Sequence, residues 1–146
     1  MKRILVGVDG SEPSSRAVDL AAHLAQPFKA MVTVVHVVYP VSYPLQAYPS
    51  EFINAEAAAE VARQEQRLGE LLTQEAAERL RKQGVAVETQ VLTGNAPLEL
   101  TDAADRGNFD LVIVGSTGKG TFKRMLLGST SDRLLHLSKR PVLVVR

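Results

Sequence analysis

Asp110-Leu111-Val112-Ile113-Val114-Gly115-Ser116-Thr117-Gly118-Lys119-Gly120-Thr121-Phe122-Lys123-Arg124-Met125-Leu126-Leu127-Gly128-Ser129-Thr130-Ser131 is the stretch that decides the fold. It opens with an apolar, β-branched run, Leu111 to Val114, the pattern of a strand buried on both faces. Gly115 stands where that strand ends, and Gly118 and Gly120 follow. Gly128-Ser129-Thr130-Ser131 then starts a helix, because Ser and Thr suit an N-cap and Leu134, Leu135 and Leu137 lie just beyond. Strand, glycine loop and helix N-terminus together form the geometry that receives a phosphate. Glycine lets backbone N–H groups approach an anion with no Cβ in the way. The helix end adds unpaired donors and roughly half a positive charge. The hydroxyls of Ser129, Thr130 and Ser131 are further candidate donors.

Two better-known phosphate loops are excluded. A Walker A loop needs Gly, four residues, then Gly-Lys-Ser/Thr. Here Ile113 precedes Gly118-Lys119 where the first glycine belongs, and Gly120 replaces the hydroxyl residue. A dinucleotide fingerprint needs Gly-x-Gly-x-x-Gly; after Gly118 and Gly120 comes Lys123. The spacing present is Gly115, two residues, Gly118, nine residues, Gly128-Ser129.

Upstream, Arg3 to Asp9 reads as a first strand with Asp9 at its carboxyl end. Gly10-Ser11-Glu12-Pro13 turns into a helix with Ser11 as N-cap and Pro13 in the first turn, ending near Gln26-Pro27. Met31 to Val38 is a second buried strand. Tyr39 to Phe52 carries Pro40, Pro44 and Pro49 and reads as a long loop. Ile53 to about Gln83 predicts a long helix with an apolar stripe of Ala57, Val61, Leu68, Leu72, Ala76 and Leu80, closed by Gly84. Val85 to Leu92 alternates as an edge strand, Pro97 to Arg106 is helical, and Val142 to Val145 is a last apolar strand. Such β-α alternation means a parallel sheet with helices on both faces. With 146 residues, a single domain over 1–146 is expected, too short for a barrel of about 200 or more residues.

Composition excludes several classes. The formal net charge is +1, so no field singles out nucleic acid or a membrane surface. No apolar run approaches the ~20 residues of a transmembrane helix, and no signal peptide is legible. The absence of cysteine excludes thiol chemistry and fits a reducing compartment. A soluble cytoplasmic protein is the expectation.

The glycine spacing resembles the nucleotide loop of the universal stress protein family, in its ATP-binding branch. The resemblance covers nearly the whole chain: Ile4-Leu5-Val6-Gly7-Val8-Asp9-Gly10-Ser11, Val34-Val35-His36-Val37-Val38, Asp110 to Gly115, and Arg140 to Val145 look like the family's first, second, fourth and last strands. It is weakest from Tyr39 to about Gln83. The resemblance implies an α/β fold: a three-layer, doubly wound, five-stranded parallel sheet of order 3-2-1-4-5, Rossmann-like and similar to the adenine nucleotide alpha hydrolases. In that order strands 1 and 4 straddle the reversal, where ligands bind at the carboxyl ends of the strands. Asp9 and Gly115, more than 100 residues apart in sequence, would then be neighbours.

The resemblance further implies an ATP site, with other adenine nucleotides and Mg²⁺ in view. Its residues would be Gly7, Asp9, Val37, Gly115, Ser116, Gly118, Lys119, Gly128, Ser129 and Thr130. Asp9 would lie against the nucleoside and Val37 would offer backbone groups to the adenine edge. The glycines would admit ribose and phosphates, and Ser129 and Thr130 would bind phosphate. A homodimer through Val142–Val145 and an unknown client protein are implied as partners.

Plainer readings stand beside these. Asp9 could be a turn residue, a helix cap or a metal ligand, and the glycines could serve tight turns. Lys119, Lys123 and Arg124 could be a solvated basic face. His36 could be a satisfied core histidine or a base, whereas His23 and His136 fit exposed or structural positions. Tyr39, Tyr43 and Tyr48 could cover an adenine or a partner, or do neither. No catalytic constellation is legible, and His-x-Gly-His and Ser-Gly-Gly-x-Asp-Ser loops are absent. The expectation is therefore an ATP-binding regulatory protein without efficient catalysis. The alternatives are a slow ATPase or self-phosphorylating protein, and a ligand-free dimeric scaffold.

Overall fold

The computed structural model describes residues 1–40, 55–118 and 127–146. In chain order the elements are β1 (Arg3–Gly7), α1 (Glu12–Phe28), β2 (Met31–Val38), α2 (Ala55–Lys82), β3 (Val87–Thr93), α3 (Ala96–Arg106), β4 (Leu111–Gly115), α4 (Ser129–Leu137) and β5 (Val142–Val145). The strands form one parallel sheet in the order β3-β2-β1-β4-β5. The expected architecture is thus observed.

The central strands are β-branched and apolar because helices cover both their faces. On one face Ile4, Val6, Val32, Val34 and Ile113 pack with Ala17, Val18 and Ala21 of α1 and with Ala76 and Leu80 of α2. On the other, Leu5, Val35, Val112 and Val114 pack with Leu100 and Ala104 of α3 and Leu134 of α4. The edge strand β3 alternates, its Glu88 and Gln90 exposed and Val87, Thr89 and Val91 half-buried, as its sequence predicts.

The long helix departs from expectation. Its buried residues are Gly69, Thr73, Ala76, Ala77 and Leu80, and of the predicted stripe Ala57, Val61 and Leu68 are exposed. The reason is length. At ~1.5 Å per residue its 28 residues run about 42 Å. The 8 residues of β2 run about 26 Å at ~3.3 Å each. The second half of α2 therefore lies on the sheet and the first half extends past it. Strand boundaries also shift slightly: β1 stops at Gly7, and Val85 is buried in the turn before β3.

β1 and β4 are tied at their entry by Asp110. Its carboxylate accepts from the amides of Lys2 and Arg3, and its own amide donates to Arg3 O at 2.9 Å. The Lys2 and then the Arg3 N–H hold its carboxyl below the usual carboxylate range. A carboxyl depressed in the folded state contributes stability that is fully present above its unfolded pKa. That contribution is lost as pH falls through the folded value. Asp110→Asn should therefore lower the melting temperature near neutral pH, and the difference from wild type should vanish on acidification to about pH 2. Thermal melts at the two pH values check this, and a pH-independent difference would contradict it.

Thr33 is a second local feature. It is 5% exposed, and its hydroxyl has no hydrogen-bond partner among the described residues. A buried hydroxyl without a partner costs stability. Thr33→Val keeps the shape and removes the oxygen, and should raise stability by about 1 kcal/mol in urea unfolding. Destabilisation would mean that the hydroxyl has a partner in solution.

Candidate functional site

β1, β2 and β4 end side by side, and their carboxyl ends open into one crevice. Gly7, Val8 and Asp9 line it from β1, Val35, His36 and Val37 from β2, and Val114, Gly115, Thr117 and Gly118 from β4. Ala96 and Leu100 of α3 and Gly128, Ser129, Thr130 and Ser131 at the start of α4 complete the wall. Asp9 and the glycine turn do meet there. A Cβ built on Gly118 would stand 2.9 Å from Asp9 Oδ2.

The turn after β1 is held locally. Asp9 Oδ1 accepts from Ser11 N at 2.9 Å, an Asx turn. Ser11 is the N-cap of α1, as expected; its Oγ accepts from Ser14 N at 3.3 Å. The same Oγ donates to Thr117 O at 3.2 Å, which joins the first turn to the glycine loop.

The start of α4 differs from its sequence reading. The N-cap is Gly128, with no side-chain cap bond, so Ser129 and Thr130 are the first helical residues rather than caps. The Ser131 hydroxyl is not available as a ligand donor, since it is buried and donates to Ser116 O and Gly128 O at 3.0 Å each. Gly128 N also donates to Ser116 O, at 2.6 Å. Leu135 and Leu137, counted with the apolar side, are exposed; Leu134 is the buried one. The first bond within the helix runs from Asp132 N to Gly128 O. The amides of Ser129, Thr130 and Ser131 therefore have no acceptor inside the helix. They are the donors that a bound anion would take.

Nine of the ten expected site residues fall among the described ones, and eight of these line the crevice: Gly7, Asp9, Val37, Gly115, Gly118, Gly128, Ser129 and Thr130. Ser116 does not line it. It is 5% exposed, and its carbonyl holds the start of α4 in place. Lys119 lies outside the described residues, as do Lys123, Arg124, Tyr43 and Tyr48. Gly7 and Gly115 also have packing roles. Cβ atoms there would stand 3.1 Å from Val114 Cγ1 and 2.7 Å from Ser14 N respectively.

Sequence reasoning missed Ser14, Thr117, Ala96 and Leu100. Ser14 was legible only as a first-turn helix residue, and the other three carry no motif. His23 and His136 are exposed. His36 is bonded through Nδ1 to Val8 O at 2.7 Å. A carbonyl can only accept, so Nδ1 carries the proton. Among the described residues no group of three or more His, Cys, Asp or Glu side chains is placed to hold a metal. No described helix is long and apolar enough to cross a membrane.

A doubly wound α/β domain with its crevice at the strand-order reversal is the class that this fold and site define. The chain belongs to the universal stress protein family, whose model matches residues 1–146. It is 33% identical over 150 residues to the universal stress protein YxiE of Bacillus subtilis (strain 168), covering 99% of this chain and 98% of that protein. Among solved structures, universal stress protein UspA from Lactobacillus plantarum superposes with a TM-score of 0.86 at 22% identity, covering 99% of this chain and 97% of that one. A universal stress protein crystallised in complex with cAMP is 27% identical, with a TM-score of 0.68 over 99% of this chain and 96% of that one.

Proposed function

We propose that the crevice binds an adenine nucleotide, ATP with Mg²⁺, and that occupancy regulates what the protein contacts rather than driving efficient turnover. One observation carries this reading: the Asp9 carboxylate faces Gly118 so closely that an added Cβ would stand 2.9 Å from Oδ2, in the crevice that the first residues of α4 also line. Acidic group and amide donors line the same crevice. A carboxylate repels phosphate, so Asp9 suits the sugar hydroxyls or a cation, while the α4 amides suit the phosphates. The related structure in complex with cAMP supports an adenine nucleotide as the ligand.

The donor set fits Mg²⁺ in the manner usual for nucleotide sites, with one carboxylate and the remaining ligands from phosphate and water. Asp9 is the residue that would hold it, and the metal would neutralise phosphate charge. Among the described lining residues Asp9 and His36 are the titratable ones, and the Nδ1 of His36 is engaged by Val8.

Calorimetry on the purified chain tests the reading. ATP should bind saturably with a dissociation constant below about 1 mM, a free energy of about −4 kcal/mol or better, more tightly with Mg²⁺ than without. No heat at millimolar ATP would refute it. At the edge of the sheet beside β4, Val142, Leu143, Val144 and Val145 of β5 are all only half-buried. An uncovered apolar edge favours pairing, and the proposal includes a dimer through it. Sedimentation of a single monomeric species at high concentration would remove that part. A client protein, if one is engaged, would read this assembly.

A further inference from the structure

We infer that His36 is a positioning residue: its ring takes the carbonyl of Val8 and so keeps the backbone edge of Val37 open to the base. The inference rests on the nucleotide reading above and explains how the base edge of that site is made.

The argument begins with the ladder between β1 and β2. Their pairing ends at Gly7↔Val35, and the last backbone bond across it runs from Val8 N to Val35 O at 2.9 Å. In a strand, successive residues point their N–H and C=O groups to alternate sides. Val35 points to β1, and Val38 points to β3, since its carbonyl accepts from Gly94 N at 2.9 Å. Val37 therefore points to the β1 side, into the crevice that it lines. Had the parallel ladder continued by one step, the Val37 amide would have taken the Val8 carbonyl. The His36 ring holds that carbonyl instead, through Nδ1 at 2.7 Å.

The ring is fixed from behind. A Cβ on Gly69 of α2 would stand 2.8 Å from His36 Cδ2, so the helix backbone closes on the ring where any larger residue would push it away. Val8 is 8% exposed and directly precedes Asp9. One imidazole thus sets two walls of the crevice. It ends the β1–β2 ladder at Val8, and it leaves the Val37 amide and carbonyl facing the crevice that Val37 lines.

The test compares three substitutions. Asn places an amide nitrogen at the position of Nδ1, Gln moves it one bond outward, and Phe keeps the ring shape with no donor. In the ligand-free chain the Val37 amide should exchange with solvent about tenfold more slowly in His36→Phe than in wild type, because the released Val8 carbonyl becomes its acceptor. The preference for adenine over guanine nucleotides should fall about tenfold in His36→Phe and stay within about threefold of wild type in His36→Asn. If His36→Phe does not fold, His36→Gln takes its place with the same expected losses. Unchanged Val37 exchange, unchanged base preference, or His36→Asn losing as much as His36→Phe would each overturn the inference. Wild type that binds no nucleotide would sink the functional reading alone, and the Val37 exchange would still decide the role of His36.

Discussion

Gly118→Val should abolish nucleotide binding and leave the fold intact. The first carbon added would stand 2.9 Å from Asp9 Oδ2, closer than a relaxed contact, and the two γ-carbons of valine would extend into the space beyond. Gly118, Asp9 and the first residues of α4 line the same crevice, where the phosphates of the proposed nucleotide would lie. No helix or strand includes Gly118, and the atom nearest its Cβ position is the end of a side chain, so the core has no reason to move. The affinity for ATP should fall by at least about 100-fold, some 2.7 kcal/mol. The ligand-free melting temperature should stay within about 3 °C of wild type, as for a change costing less than about 1 kcal/mol. Calorimetry and a thermal melt on one preparation read both quantities. ATP affinity equal to wild type would mean that the phosphates do not pass this turn.

Gly115→Ala should do the reverse and strike stability first. A Cβ on Gly115 would stand 2.7 Å from Ser14 N, 2.9 Å from Pro13 C and 3.0 Å from Pro13 Cβ. Two of these are backbone atoms in the first turn of α1, so no flexible side chain can yield and the helix itself must retreat. Overpacking of this kind costs about 1–3 kcal/mol, and backbone contact puts this case at the upper end. A chain of this size loses roughly 2–4 °C per kcal/mol, so the melting temperature should drop by about 10 °C. Retreat of α1 also carries Ser11 and Ser14 away from the glycine loop, so weaker nucleotide binding should follow. An unchanged melting temperature would show that α1 does not seat on the end of β4.

The two glycines looked alike in the sequence, and the structure separates them. Gly115 ends the same buried strand that Gly118 follows, in a spacing that suggests phosphate. Gly115 is small because a helix presses on it from a segment about a hundred positions earlier, and Gly118 is small because the crevice needs the room. Sequence spacing reports that no side chain fits and is silent on what excludes it. Ser116 shows the same limit. It lies between two lining residues, yet its carbonyl accepts from Gly128 N and the Ser131 hydroxyl, so it organises the site from underneath. The N-cap of α4 fell on Gly128 rather than on a hydroxyl residue because those bonds to Ser116 fix the chain there. Local cap preference amounts to about 1 kcal/mol, and tertiary bonds of this kind outweigh it.

The apolar runs of β1, β2, β4 and β5, the alternation of β3 and the cap at Ser11 were each legible because they answer to local patterns with a fixed period or a short-range bond. α2 was legible as a helix, but its buried face was not. A stripe read along 28 residues assumes a surface beneath all of them, and the sheet supports only the second half.

The chain by itself determined the kind of layers, their number and the residues able to bend without a side chain, because strand and helix periodicity and glycine content are properties of neighbours in sequence. Only the tertiary structure decided which wall each residue joins. The reversal of strand order at β1 and β4 brings Asp9 against Gly118, seats α1 on Gly115 and turns the His36 ring onto Val8. Contacts between segments remote along the chain depend on how the sheet is wound, and no local pattern encodes them.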